Sequence, residues 1–149
     1  MKKPATSFFV VLPCLFVAAT FSSVSAQDTK DPRNIAMTTL GKNMKAIARG
    51  LKAGSVTPEM IKQADAISQI ADRLTDLFPK GQEKEDSRAK PEIWTDFAGF
   101  KKANQNFVVA SAALVKAMAS GDAIAAKAAQ KRTGKTCGGC HKPYRLPKK

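Results

Sequence analysis

Four stretches of this chain each repeat apolar residues at intervals of three and four, and each is bounded by residues that start and stop helices. That interval is the turn of an α-helix, so each stretch carries one apolar face that has to be buried against another. In the first, Asp31-Pro32 supplies a capping side chain and a proline at the opening position. Met37, Leu40, Met44, Ile47 and Leu51 follow, and Gly54 ends the run. The second opens on Thr57-Pro58-Glu59 and carries Met60, Ala64, Ile67, Ala71, Leu74 and Phe78 before Pro79 closes it. A polar connection runs from Lys80 to Lys90. The third starts near Pro91-Glu92 and carries Ile93, Phe97, Phe100, Phe107, Ala110 and Leu114. Gly121-Asp122 breaks the chain and caps the fourth, which runs from Ala123 and is rich in Ala and Lys, both good helix formers. No stretch alternates as a strand would. Four such segments of about 20 residues predict an all-α protein, an antiparallel four-helix bundle.

The fourth segment ends in Cys137-Gly138-Gly139-Cys140-His141, and His141 is the sole histidine of the chain. On a helix these two cysteines and the histidine share one face. Cys-x-x-Cys-His is the spacing that fastens a c-type haem: two thiols meet two vinyl groups, and the imidazole reaches the iron. Other uses of the motif stand beside this one. A structural zinc site wants four ligands and would have to recruit carboxylates. A thioredoxin-like pair belongs on a βαβ pattern, and a disulfide would close a very small loop. Haem attachment is the reading taken, with one haem c as the cofactor. Gly134, Gly138 and Gly139 then read as room for a flat macrocycle or as incidental. Pro143 disfavours helix, so the segment is expected to end or kink just after His141.

Residues 1–26 have the grammar of a secretory signal: Lys2 and Lys3, an apolar run from Phe8 to Phe21, and the small-residue site Val24-Ser25-Ala26. Cys14 lies inside that segment. The mature domain is then 27–149, periplasmic, with no membrane attachment after signal removal. The formal net charge of the chain is +13. Loss of Lys2 and Lys3 leaves a strongly basic domain, which suits either a solvated surface or steering toward an acidic partner protein. Nucleic acid is not expected as a partner of an exported chain without a recognisable binding motif.

These residues resemble the cytochrome c prime, or class II cytochrome c, family, across essentially the whole mature chain. The ending Cys137-Gly-Gly-Cys-His141-Lys-Pro-Tyr144-Arg145 is similar to the family's Cys-x-x-Cys-His-x-x-Tyr/Phe-Arg, and Ala89 to Phe100 is similar to its third-helix opening. Arg33, with Met37 four residues on, matches the first-helix pattern beside the haem. The resemblance implies a non-enzymatic, exported four-helix bundle with covalently bound haem; homodimers are common in the family. High-spin members keep an apolar residue at the position of Met37, and low-spin members a methionine. Arg33 is implied as a haem-lining or propionate-pairing residue, against an exposed first-turn arginine.

The sixth iron ligand decides the function. A second histidine does not exist. Met37 is the candidate, because a thioether is a soft neutral ligand that favours reduced iron. Against this, methionine often fills cores, and Met44, two turns further on, is a rival on the same face. The expectation is a monohaem electron carrier with His141 and Met37 on the iron. The alternative is a five-coordinate protein that binds nitric oxide or carbon monoxide. Trp94, Phe97 and Phe100 are expected in the core or against the macrocycle, and Lys142 and Arg145 at an exposed haem edge.

Overall fold

The computed structural model describes residues 31–83 and 87–147. Five helices occupy them: α1 Pro32–Lys52, α2 Pro58–Arg73, α3 Glu92–Thr95, α4 Phe97–Ala119 and α5 Ala123–Tyr144. The expected signal segment lies outside the described residues.

Helix ends follow the chemistry of the sequence. The Asp31 carboxylate accepts from the amide of Arg33, Thr57 from that of Met60, and Asp122 from those of Ile124 and Ala125. Proline fills the first position of α1 and of α2. Gly54 and Gly121 turn the chain at φ of 80° and 72°, which L side chains rarely adopt.

The third expected segment is divided. Asp96 leaves helical geometry at φ −121° and ψ 53°, and its carboxylate accepts from the amide of Gly99, so it caps a new helix, α4, and cuts off the single turn α3. The second is also shorter than its apolar stripe: α2 stops at Arg73, and Leu74–Leu77 tighten into a 3₁₀ turn that delivers Phe78 to the core. The fourth is longer than expected. Helix α5 passes Pro143 and ends at Tyr144. Pro143 removes a single amide in the last turn, and the amide of Arg145 still donates to His141 O at 3.0 Å.

The long helices form a ring in which α1 meets α2, α2 meets α4, α4 meets α5 and α5 meets α1. Cross-links place α4 antiparallel to both α2 and α5. Asn104, early in α4, donates from Nδ2 to Ala71 O, late in α2, at 3.0 Å. Tyr144, at the end of α5, donates to Asp96, at the start of α4, at 2.9 Å. Mid-helix, the Thr133 hydroxyl is shared between Ala129 O and Ala110 O at 3.0 and 3.1 Å. Ile47, Ala64, Ile67, Ala71, Leu114, Met118 and Ala126 are wholly withdrawn from water. The interface between α1 and α5 is the sparsest of the four. There the core gives way to a cavity.

Candidate functional site

Cys137, Cys140 and His141 project from one face of α5 toward α1, half-buried. Both cysteines are free thiols, not a disulfide. Among the described residues no group of three or more His, Cys, Asp and Glu side chains is placed to hold a metal ion, so a zinc reading lacks its remaining ligands. The Cys137 Sγ donates to Thr133 O at 3.5 Å, which fixes it along the helix. Burial pushes the Cys137 thiol up, against a small opposing pull from its backbone hydrogen bond. Burial, and then the neighbouring Cys137, push up Cys140. His141 moves the other way: burial, then the charges of Arg145 and Arg88, hold it below the usual imidazole value. Both effects favour the neutral imidazole, the form that ligates iron.

Two adjoining cavities open from this face. The larger, about 480 Å³, lies between α1 and α5 and reaches Leu40, Met44, Leu74 and Phe107. The smaller, about 170 Å³, reaches Arg33, Phe78, Phe100 and Tyr144. Both are lined by Met37, Cys140, His141 and Arg145. The donor set fits a c-type haem: two thiols and an imidazole on one wall, a thioether from α1 shared with them, and apolar side chains beyond.

Arg33 is buried, at 8% exposure, which rules out the exposed first-turn arginine. Its guanidinium pairs with Asp31 at 2.8 Å, donates to Gln82 O at 3.3 Å and stands 5.6 Å from the centre of the Phe78 ring. The partner is its own helix cap, two residues upstream, a pairing that the helical stripe does not signal. Met44 lines the larger cavity only, and its Cε lies 3.9 Å from where a Cβ on Gly134 would stand. Of the three glycines, Gly134 faces the larger cavity, whereas Gly138 and Gly139 are exposed and line neither of the two cavities.

The aromatic residues separate. Phe100 is core and cavity wall at once: it meets Phe78 edge-on at 5.1 Å and Tyr144 at 5.4 Å. Trp94 is half-buried and donates from its indole to Pro79 O at 3.0 Å. Phe97 does not fill the core; it is 37% exposed, and the Lys101 ammonium lies 5.4 Å from its centre. Arg145 borders both cavities, while Lys142 is exposed and borders neither. A contact with no sequence signal straps the site. Residues 88–90 pair with 144–146 through Lys90 N to Tyr144 O at 3.1 Å and Leu146 N to Arg88 O at 2.8 Å. The Arg88 guanidinium adds two bonds to Leu146 O at 2.7 and 3.1 Å.

Comparison with known proteins names this arrangement. The family model for cytochrome C' matches residues 28–145. The chain belongs to the cytochrome c prime family. Cytochrome c' of Rhodospirillum rubrum is 36% identical over 104 residues, covering 68% of this chain and 71% of that one. Cytochrome c-556 of Agrobacterium tumefaciens (strain II Chrys) is 38% identical over 104 residues, covering 69% and 82%. Among solved structures, a nitric oxide complex of a cytochrome c prime variant from Alcaligenes xylosoxidans superposes with a TM-score of 0.71 at 26% identity, covering 78% of this chain and 91% of that one. Cytochrome c' from Thermochromatium tepidum gives 0.71 at 28% identity, covering 77% and 92%. Cytochrome c prime proteins are non-enzymatic and carry one covalent haem c, for which Cys137, Cys140 and His141 form the attachment motif here.

Proposed function

We propose that this chain is a periplasmic electron carrier whose haem c is held through Cys137 and Cys140 and ligated by His141 and Met37. One observation carries the reading: apart from Cys140, His141 and Arg145 on and just beyond α5, Met37 is the single residue that lines both cavities. It therefore shares with the imidazole both spaces that a haem would enter, whereas Met44 borders one of them. Bound haem supplies reversible one-electron chemistry, and His/Met ligation favours its reduced state. The residues of the chain do the rest. His141 offers its imidazole to the iron, and Tyr144 and the 88–90 strap hold the helix end that presents it. Phe78, Phe100 and Phe107 exclude water. Arg33, already neutralised in part by Asp31, offers a guanidinium to a propionate at the smaller cavity. The leader-like segment 1–26 directs the protein to the periplasm, and its basic surface selects an acidic redox partner.

The test is an optical spectrum of the haem-loaded protein with and without carbon monoxide. The wild type is expected to be low-spin and unresponsive to the gas. Met37→Leu turns it high-spin and gas-binding, and Met44→Leu leaves it unchanged. A low-spin Met37→Leu protein removes Met37 as ligand. The second reading, a five-coordinate gas-binding protein, draws support from the similarity to the nitric oxide complex of the Alcaligenes xylosoxidans protein. A high-spin wild type would establish it.

A further inference from the structure

Charge in this bundle is segregated by helix. Nine of the twelve Asp and Glu residues lie between Glu59 and Asp96, the stretch that contains α2 and the long connection. Between Arg33 and Pro58 there is no carboxylate residue, nor between Phe97 and Gly121, nor anywhere after Asp122. Thus α1, α4 and α5 carry none, and α5, which lies across the ring from α2, is the centre of the basic half. It is also the helix that bears the haem motif. The length of α5 is thus basic and free of carboxylates, and such a local field orients an approaching partner.

The outward face of α5 has a defined pattern. Lys131, Lys135 and Lys142 lie along one stripe and are all exposed. Between Lys135 and Lys142 the surface positions are Gly138 and Gly139, also exposed, with no atom within 4 Å of where a Cβ would stand and no unusual backbone angle. Packing therefore does not require glycine at these two places, and each costs helix stability relative to alanine. Their effect is a bare patch of backbone, on the turn whose inner side carries both thiols. A groove lined by Ala103, Asn106, Lys135, Thr136, Gly139 and Cys140 reaches Cys140 from the outside.

We infer that the outer face of α5, with Lys131, Lys135 and Lys142 astride the Gly138-Gly139 patch, is the docking surface for an acidic redox protein. The lysines pair with carboxylates of the partner. The bare patch brings its surface close to the haem-bearing cysteines, which matters because electron transfer slows steeply with distance. In the step itself one electron passes between the partner and the haem iron; one centre is oxidised by one electron, the other reduced by one, and no bond is made or broken. This rests on the electron-carrier reading and specifies its partner surface.

The probe is an acidic flavodoxin in its fully reduced form, mixed with the haem-loaded ferric protein in a stopped-flow instrument at several ionic strengths. Lys131→Glu/Lys135→Glu/Lys142→Glu is compared with Lys52→Glu/Lys62→Glu/Lys80→Glu, which makes the same change in net charge at exposed sites away from α5. The first triple variant is expected to slow the reaction by roughly tenfold to a hundredfold at low salt and to flatten its salt dependence. The second stays within about threefold of wild type, its charges lying on α1, α2 and the connection and not on α5. Amide shifts of the labelled protein on adding oxidised flavodoxin should cluster on Lys131–Lys142. Equal slowing by both variants, or by neither, overturns the proposal, as do amide shifts centred on α2. So does binding to phosphatidylserine vesicles at physiological salt that the first variant alone abolishes while its flavodoxin rate is unchanged, since the face would then be a lipid surface. The electron-carrier reading fails separately, on a high-spin resting spectrum of the wild type, which no outcome with the charge variants produces.

Discussion

Removal of the Tyr144 hydroxyl, as in Tyr144→Phe, has a cost that the structure allows to be worked out. The phenol donates to Asp96 Oδ2 at 2.9 Å, while the other oxygen of the same carboxylate accepts from Gly99 N at 3.1 Å and caps α4. One side chain thus starts α4 and holds the end of α5, three residues beyond His141. A hydrogen bond to a charged group contributes about 1.5–3 kcal/mol. Asp96 is exposed and water takes the place of the phenol, so the lower end, about 1.5 kcal/mol, applies. For a domain of this size that is a fall in Tm of roughly 4–8 °C. Asp96→Ala loses the cap as well, about 1 kcal/mol more. On that background Tyr144→Phe should cost little, a coupling of about 1 kcal/mol or above. The assay is thermal unfolding of the haem-loaded protein by far-ultraviolet circular dichroism at neutral pH, for both single variants and the double. The same bond has a pH signature. Burial, then the bond to Asp96 and its negative charge, push the phenol above its ordinary value of 10.0. The folded state therefore holds the proton more tightly than the unfolded state. Its stabilisation is complete below pH 10 and is lost as pH rises from there through the folded value. As the chain has one tyrosine, tyrosinate absorbance reports this group alone. Equal destabilisation by Tyr144→Phe on both backgrounds, or the same alkaline loss in its presence and absence, would refute the account.

Other expectations follow from the same contacts. Leu114→Ala empties a position with no solvent exposure and should cost about 2–5 kcal/mol in chemical denaturation. Gly138→Ala should raise helix stability by about 0.5–1 kcal/mol, since open space surrounds the site; a fall in the yield of haem-bearing protein would instead show that the glycine serves attachment. Gly99→Ala should lower Tm at least as much as Tyr144→Phe, because a Cβ there would press on the Asp96 carboxylate, which caps α4 and holds Tyr144, and would stand 2.6 Å from the Tyr144 hydroxyl. Arg33→Met breaks the ion pair with Asp31 in a buried setting and should lower Tm by more than Lys42→Met, which is exposed.

Much of this architecture is legible in the residues. Caps, prolines and the three-four stripe place all four long helices, because these signals are local, but not the break at Asp96 that opens α4 or the early end of α2 at Arg73. What the stripe hides is polar. On α4 the buried positions are Phe100, Asn104, Phe107, Ser111, Leu114 and Met118. Asn104 and Ser111 sit in the register but break the apolar pattern, so the stripe points falsely toward Phe97 and Ala110. Asn104 is there to bond across to Ala71, a contact between distant parts of the chain that no local period encodes. Thr133 is hidden on α5 for the same reason. The haem motif is legible because its three residues are fixed by one covalent geometry. The strap between 88–90 and 144–146 is not, because backbone pairing leaves no mark on side-chain choice.

The thin seam between α1 and α5 has a mechanical meaning. Helices adjacent in the chain are tied to one another by turns or by a latched connection; the first and last meet by packing alone, around a hollow. A cofactor sewn to α5 and gripped by a sulfur from α1 would act as the clasp of a hinged case. Any event that frees that sulfur would then be felt as loosening along the whole length of the joint, not merely at the metal.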